Sequence, residues 1–159
     1  MANREVFMLE LELLGVSQAE ESPVPMVLLR HEERILPILV GLHEASAIQL
    51  GLLGEKSIRP LTHDLICNIL AGLRGEVQSV TIYKLENETF FAHLNVEQKS
   101  PDGQVVQVLR IDTRPSDGIA IATRVNCPIY AADEVMDAAA QNASVIGPEE
   151  DEENEGFQA

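Results

Sequence analysis

Two six-residue stretches of this chain carry the same small chemical theme. Arg59-Pro60-Leu61-Thr62-His63-Asp64 and Asp112-Thr113-Arg114-Pro115-Ser116-Asp117 each set an Arg-Pro pair ahead of a hydroxyl residue and an aspartate. Each then runs into an apolar, helix-like segment. Proline fixes φ and needs no amide partner, so it suits the start of a helix. Thr62 or Ser116 can accept a hydrogen bond from the orphan amides of a first turn, and an aspartate there meets the positive end of the helix dipole. The same geometry serves three ends: binding a substrate phosphate, holding a metal ion, or simply starting a helix well. In the last case Arg59 and Arg114 are salt-bridge mates of Asp64 and Asp117.

The fullest constellation is Glu44, Arg59, His63, Asp64, Asp112, Arg114 and Asp117, all expected at strand ends or helix starts, where functional groups are commonly displayed. As a catalytic set it gives His63 as general acid or base, Asp64 and Asp117 as carboxylates, and Arg59 and Arg114 as bidentate phosphate binders. As a metal set, Glu44, Asp64, Asp112 and Asp117 supply the oxygen donors that Mg²⁺ or Mn²⁺ prefer. Such a cation would activate water or polarise a phosphodiester. His31, His43 and His93 stand alone in the sequence, and Cys127 before Pro128 has no nearby base. There is no GxGxxG, Walker A, GxSxG, HExxH or zinc-finger spacing, so no organic cofactor is expected.

The elements that must position these residues are legible from periodicity. Phe7, Leu9, Leu11 and Leu13 alternate with Glu10 and Glu12, which predicts a half-buried strand. Strands follow over 26–30 and 35–40, the second with Pro37 as an edge or bulge signal. A helix over 44–53 is stopped by Gly54, and a second over 62–72 is expected to bury Leu65, Ile66, Ile69, Leu70 and Leu73. A three-stranded meander comes next, over 77–85, 89–96 and 105–112, with Ser100-Pro101-Asp102-Gly103 as a strong turn. A helix over 116–124, a short extended piece at 128–130 and a helix over 133–140 capped by Asp133 complete the order. Residues 38–48 align without gaps on 111–121, making Glu44 and Asp117 pseudo-equivalent. The reading is an α+β fold built from duplicated β(3)-α repeats.

At 159 residues and 45% hydrophobic content the chain suits one domain with a real core. No apolar run is long enough to span a bilayer, and Glu5, Glu10 and Glu12 argue against a signal peptide. Two cysteines in unrelated contexts predict a reduced, cytoplasmic protein. The expected organisation is a domain over 1–140 and an acidic, disordered tail over 141–159, its charge gathered in Glu149, Glu150, Asp151, Glu152, Glu153 and Glu155. The net charge of −15 speaks against a broad nucleic-acid footprint. With no Trp, two Tyr and four Phe, base-stacking platforms are expected to be scarce.

Four ordered segments point to a family. Leu36-Pro37-Ile38 with Val40-Gly41 and Glu44-Ala45-x-Ala47-Ile48 come first, then Arg59-Pro60-x-Thr62-His63-Asp64-Leu65. Asp112-x-Arg114-Pro115-Ser116-Asp117 with Ala120 follows, and Pro128-Ile129-Tyr130 closes the series. Together, over about residues 5 to 138, they resemble the bifunctional nuclease domain family. Gly118 stands where Ala is more usual, and Leu39 where an aromatic is common. The resemblance implies two β(3)-α repeats in a three-layer β/α/β arrangement and nuclease activity on both RNA and DNA. A rival reading from a different class is a non-catalytic homo-oligomeric binding or regulatory module, in which the same residues secure helix starts and subunit contacts.

Overall fold

The computed structural model describes residues 5–146. The acidic cluster of the expected tail lies outside the described residues. Strand β1 (Met8–Ser17) turns Leu9, Leu11 and Leu13 toward the core and leaves Glu10 and Glu12 exposed, as alternation requires. It is followed by β2 (Met26–His31) and β3 (Arg34–Leu39), which complete an antiparallel meander. Helices α1 (Leu42–Leu53) and α2 (Thr62–Gly72) come next. A second meander, β4 (Gly75–Glu86), β5 (Thr89–Lys99) and β6 (Val105–Thr113), leads into α3 (Pro115–Val125). The chain closes with β7 (Ile129–Ala132), α4 (Asp133–Ala139), β8 (Gln141–Asn142) and α5 (Ala143–Ile146).

All eight strands join one sheet in the order β6-β5-β4-β7-β1-β2-β3-β8. The β4–β7 pairing is parallel and the others are antiparallel, so the sheet is mixed and the fold is α+β. The two meanders lie on either side of β7 and meet through β1. The first half of β1 pairs with β7, from Met8↔Ala132 to Leu11↔Ile129, and its second half pairs with β2. Pro37 sits where β3 has no ladder partner on its far side, because β8 reaches only Arg34 and Ile35. That is the edge position its missing N–H predicts. The ordered chain also runs past 140: β8 extends the sheet, and the Ala143 amide donates to the Glu33 carbonyl at 2.8 Å.

The core sits where the inward faces of both meanders meet the helices, with Leu29, Leu36, Ile48, Val80, Ile82, Ile119, Ile121 and Met136 almost fully buried. Helix α3 is the most enclosed, burying Pro115, Ser116 and the run Gly118 to Ala122 between α1, α2 and the β4–β5 hairpin. Gly118 is where α3 touches the sheet. A β-carbon there would come within 2.9 Å of Val80 Cγ1, so the glycine sets the helix-to-sheet distance. The departure from alanine at this position thus has a packing cause.

Helix α2 departs from expectation. It buries only His63, while Leu65, Ile69 and Leu73 face solvent together with Leu61, one every fourth residue. Of the expected residues only Ile66 packs against the core, joined by Cys67, while Leu70 is half-buried. Asp64 and Asn68 mark a polar side of α2, and its apolar residues spread over the rest, so spacing alone does not say which of them turn in. The expected hydroxyl caps also fail. The N-cap residues of α2 and α3 are Leu61 and Arg114, and neither helix has a side-chain hydrogen bond from its cap residue. At α4 the cap residue is Ala132, and Asp133, the first helical residue, accepts the Glu134 amide at 2.9 Å.

Candidate functional site

Three helices begin close together, and each carries an acid at its third residue: Glu44 in α1, Asp64 in α2 and Asp117 in α3. The cause is local. An acid in the first turn meets unpaired backbone amides and the positive end of the dipole. Asp64 reaches back to accept the Leu61 amide at 2.9 Å, the role expected of a hydroxyl cap. The Glu44 carboxylate folds back over Gly41, where a β-carbon would collide with it.

Four of the expected residues form one continuous polar chain. His63 Nε2 lies 2.9 Å from Asp117 Oδ1. Arg114 donates from Nε to Asp117 Oδ2 at 2.9 Å and from Nη2 to Glu44 Oε1 at 2.9 Å. An ionised carboxylate can only accept, so the His63 proton facing Asp117 sits on Nε2, and a neutral ring keeps its lone pair on Nδ1. His63 is buried, whereas the Arg114 side chain is 66% exposed. The carboxyl of Glu44 is held below its ordinary range by its own backbone amide and then by Arg114. Arg114 is held above its ordinary value by its hydrogen bonds to Glu44 and Asp117.

Asp64 belongs to a different cluster. Its Oδ1 accepts Arg124 Nε at 2.7 Å, and Arg124 Nη1 donates to the carbonyls of Ala47 at 3.0 Å and Ala120 at 2.7 Å. The Leu61 amide, and then Arg124, hold the Asp64 carboxyl below its usual range. Arg124 therefore ties α1, α2 and α3 together, with its side chain only 11% exposed. Sequence reasoning missed it. The available signal was a lone cation in the last turn of an apolar helix, which reads as a dipole partner.

The remaining two residues stand apart. Arg59 is exposed and lines an open cleft of about 760 Å³ with Lys56, Asp64, Asn68 and Arg124. Among the described residues it makes no hydrogen bond or ion pair, so it is not the mate of Asp64. Asp112 is exposed on β6, opposite His93. Its neighbours Ile111 and Leu109 face the core, so Asp112 points off the other face of the sheet. The four carboxylates named as metal ligands are thus not gathered at one point. Glu44 and Asp117 share Arg114, Asp64 is taken by Arg124, and Asp112 is outside. Among the described residues no group of three or more His, Cys, Asp or Glu is arranged to hold a metal ion.

The bifunctional nuclease domain model matches residues 26–144. The chain belongs to the bifunctional nuclease domain family. An uncharacterized protein of Mycobacterium tuberculosis is 37% identical over 146 residues, spanning 91% of this chain and 82% of its own length. Bifunctional nuclease 2 of Oryza sativa is 32% identical over 118 residues, and bifunctional nuclease 1 of Arabidopsis thaliana 28% over 111 residues. This chain corresponds to about a third of each plant protein, 35% and 33% respectively. Within this bifunctional nuclease domain, three of the four ordered segments supply the polar chain. The fourth, Pro128-Ile129-Tyr130, leads into the central strand β7.

Proposed function

We propose that the chain hydrolyses phosphodiester bonds in RNA and DNA at the His63–Asp117–Arg114–Glu44 chain. The observation that carries this reading is an exposed arginine, fixed by two carboxylates, next to a histidine oriented by one of them. Arg114 docks a phosphate through its free edge, and Glu44 holds the guanidinium in place. His63 takes a proton from the attacking water as the new O–P bond forms, and the departing oxygen takes a proton from solvent water as the old P–O bond breaks. His63 then returns its proton to the hydroxide so formed. Asp117 fixes the His63 tautomer. Asp64, through Arg124, keeps the first turn of α2 where His63 needs it, and Arg59 offers a second phosphate contact from the neighbouring cleft. Mg²⁺ or Mn²⁺ is proposed only at Glu44 and Asp117, where it would supply charge neutralisation. The family match and the nuclease names of the plant relatives support the substrate class.

The test uses wild type, His63→Gln, Asp117→Asn and Arg114→Ala on single- and double-stranded RNA and DNA, with Mg²⁺, Mn²⁺ or chelator. Loss of cleavage with retained melting temperature supports the site. Equal cleavage by all four proteins refutes it.

A second observation supports self-association. Leu61, Leu65, Ile69 and Leu73 form an exposed stripe on α2, continued by the fully exposed Ile58. Laid antiparallel on its own copy, the stripe sets Leu61 against Leu73 and Leu65 against Ile69, as a two-fold interface requires. The rival reading, a non-catalytic homo-oligomeric module, rests on this face. Light scattering on Ile69→Glu separates it: a shift from oligomer to monomer with cleavage intact makes the two roles independent. The compartment is proposed to be the reducing cytoplasm, a reading supported by the unpaired Cys67 and Cys127. Among the described residues no helix is long and apolar enough to cross a membrane.

A further inference from the structure

By composition the chain is poor in aromatics, yet the fold brings two of its six Phe and Tyr residues, Tyr83 and Phe91, together with His93 on one face. On β4 and β5 the residues Val80, Ile82, Ala92 and Leu94 face the core, so Ser79, Thr81, Tyr83, His93 and Asn95 face away from the helices. Tyr83 stacks on His93 with ring centroids 4.1 Å apart and planes 11° from parallel. Phe91 stands 6.4 Å from Tyr83, tilted by 52°. The Lys84 ammonium lies 5.0 Å above the Phe91 ring. All three rings are half-buried, held at the surface and not sunk into the core.

Polar groups frame this cluster. Asn95 Nδ2 donates to Ser79 Oγ and Thr81 Oγ1, both at 2.9 Å, which fixes the amide and leaves its oxygen free to accept. On β6, Arg110 stands opposite Asn95, exposed and without an ion pair or hydrogen bond among the described residues. Half-buried rings at the surface beside an unpaired arginine and a fixed amide suit unpaired bases on a phosphate backbone, with Asp112, opposite His93 on the same face, steering the phosphates toward Arg110. A duplex hides its base faces by stacking and would not fit.

The cluster also continues from the candidate site. Thr113 pairs with Ala92, the residue after Phe91. Arg114 is therefore the first residue to leave the sheet at the end where Phe91, Tyr83 and Lys84 lie. A strand with one phosphate on Arg114 needs only to turn over the end of β6 to bring its next bases onto the rings.

We propose that the outer face around Tyr83, Phe91, His93 and Arg110 binds unpaired bases of a nucleic-acid strand whose backbone reaches Arg114. The direction of the strand rests on the nuclease reading of Arg114; the binding itself does not.

The absence of Trp provides the readout. Tyr83 and Tyr130 are the two tyrosines, so Tyr130→Phe leaves Tyr83 as the sole tyrosine emitter. That protein is titrated with a phosphorothioate oligodeoxythymidine of about 12 nucleotides, within the usual site size of such surfaces. Parallel titrations use an abasic oligomer of equal length and a blunt duplex. Stacking predicts quenching of Tyr83 by oligodeoxythymidine and at least about tenfold weaker binding of the abasic oligomer. By anisotropy of a labelled oligomer in the otherwise wild-type chain, Tyr83→Leu and Phe91→Leu each lose about tenfold in affinity, and Tyr83→Phe retains it. Melting curves confirm that each variant folds. Equal binding of the abasic oligomer, no binding of any oligomer, or unchanged affinity in a folded Tyr83→Leu overturns the proposal. Quenching by the phosphorothioate with no cleavage of unmodified RNA or DNA oligomers keeps this surface and removes the nuclease reading. Cleavage with no preference for bases does the reverse.

Discussion

Helix α3 carries an arginine at each end, and the two do opposite things with similar partners. Arg114 precedes the helix and holds Glu44 and Asp117; Arg124 lies in its last turn and holds Asp64. Their side chains are 66% and 11% exposed, respectively. Arg124 gives Nη1 to the carbonyls of Ala47 and Ala120, and its burial between the helices, more than a shortage of donors, keeps it from a ligand. Arg114 binds only carboxylates and keeps a solvent-facing edge. An Arg–Asp pair is thus uninformative by type. Where the unused donors point distinguishes a staple from a docking group.

The sharpest way to break this contrast is Arg124→Ala. It strips Asp64 of its partner and frees two carbonyls, and should cost about 3 kcal/mol. For a chain of this size that lowers Tm by roughly 6–12 °C in thermal melts. Arg114→Ala should do the reverse: a Tm change worth about 1 kcal/mol or less, with cleavage reduced by roughly 10²-fold or more in single-turnover assays. Arg114→Lys should fail to restore it, since an ammonium cannot bridge two carboxylates in a plane.

Acid sharpens the comparison further. Asp64 and Glu44 both have depressed pKa values, so their contribution to stability is full above the ordinary values of 3.8 and 4.5. It is lost as pH falls below those values and through the depressed ones. Asp64→Asn should be less stable than wild type at neutral pH, and the gap should close on acidification, as followed by Tm against pH. The smallest effect is expected at Arg59. Arg59→Ala should leave Tm unchanged and weaken oligonucleotide binding only a few-fold, in a salt-dependent way checked by titration at two ionic strengths.

Much of this was legible in the sequence. Alternation placed the strands, Pro37 announced an edge, and four ordered segments announced the family. The second Arg-Pro segment was also read correctly as a pair, because Arg114 and Asp117 lie within one helical turn and local geometry suffices. The first segment misled for the opposite reason. Arg59 sits in the loop before α2 and faces a cleft, while Asp64 finds an arginine sixty residues away. That choice is made by the docking of α3 against α1 and α2, which no local spacing encodes. The same limit explains α2, whose apolar residues occupy more than one face, and the aromatic face, where few residues become a cluster only once β4 and β5 pair.

Strand β1 is shared between two ladders: its second half pairs with β2 a few residues later, and its first half waits for Ile129–Ala132. On the ribosome, the early meander can assemble while Met8 to Leu11 remain an open edge until most of the domain has emerged. Closing that gap is a long-range step, slow by topology and exposed to mispairing meanwhile. The seam that unites the sheet is therefore also among the last parts of it to be secured during synthesis, ahead only of the short β8.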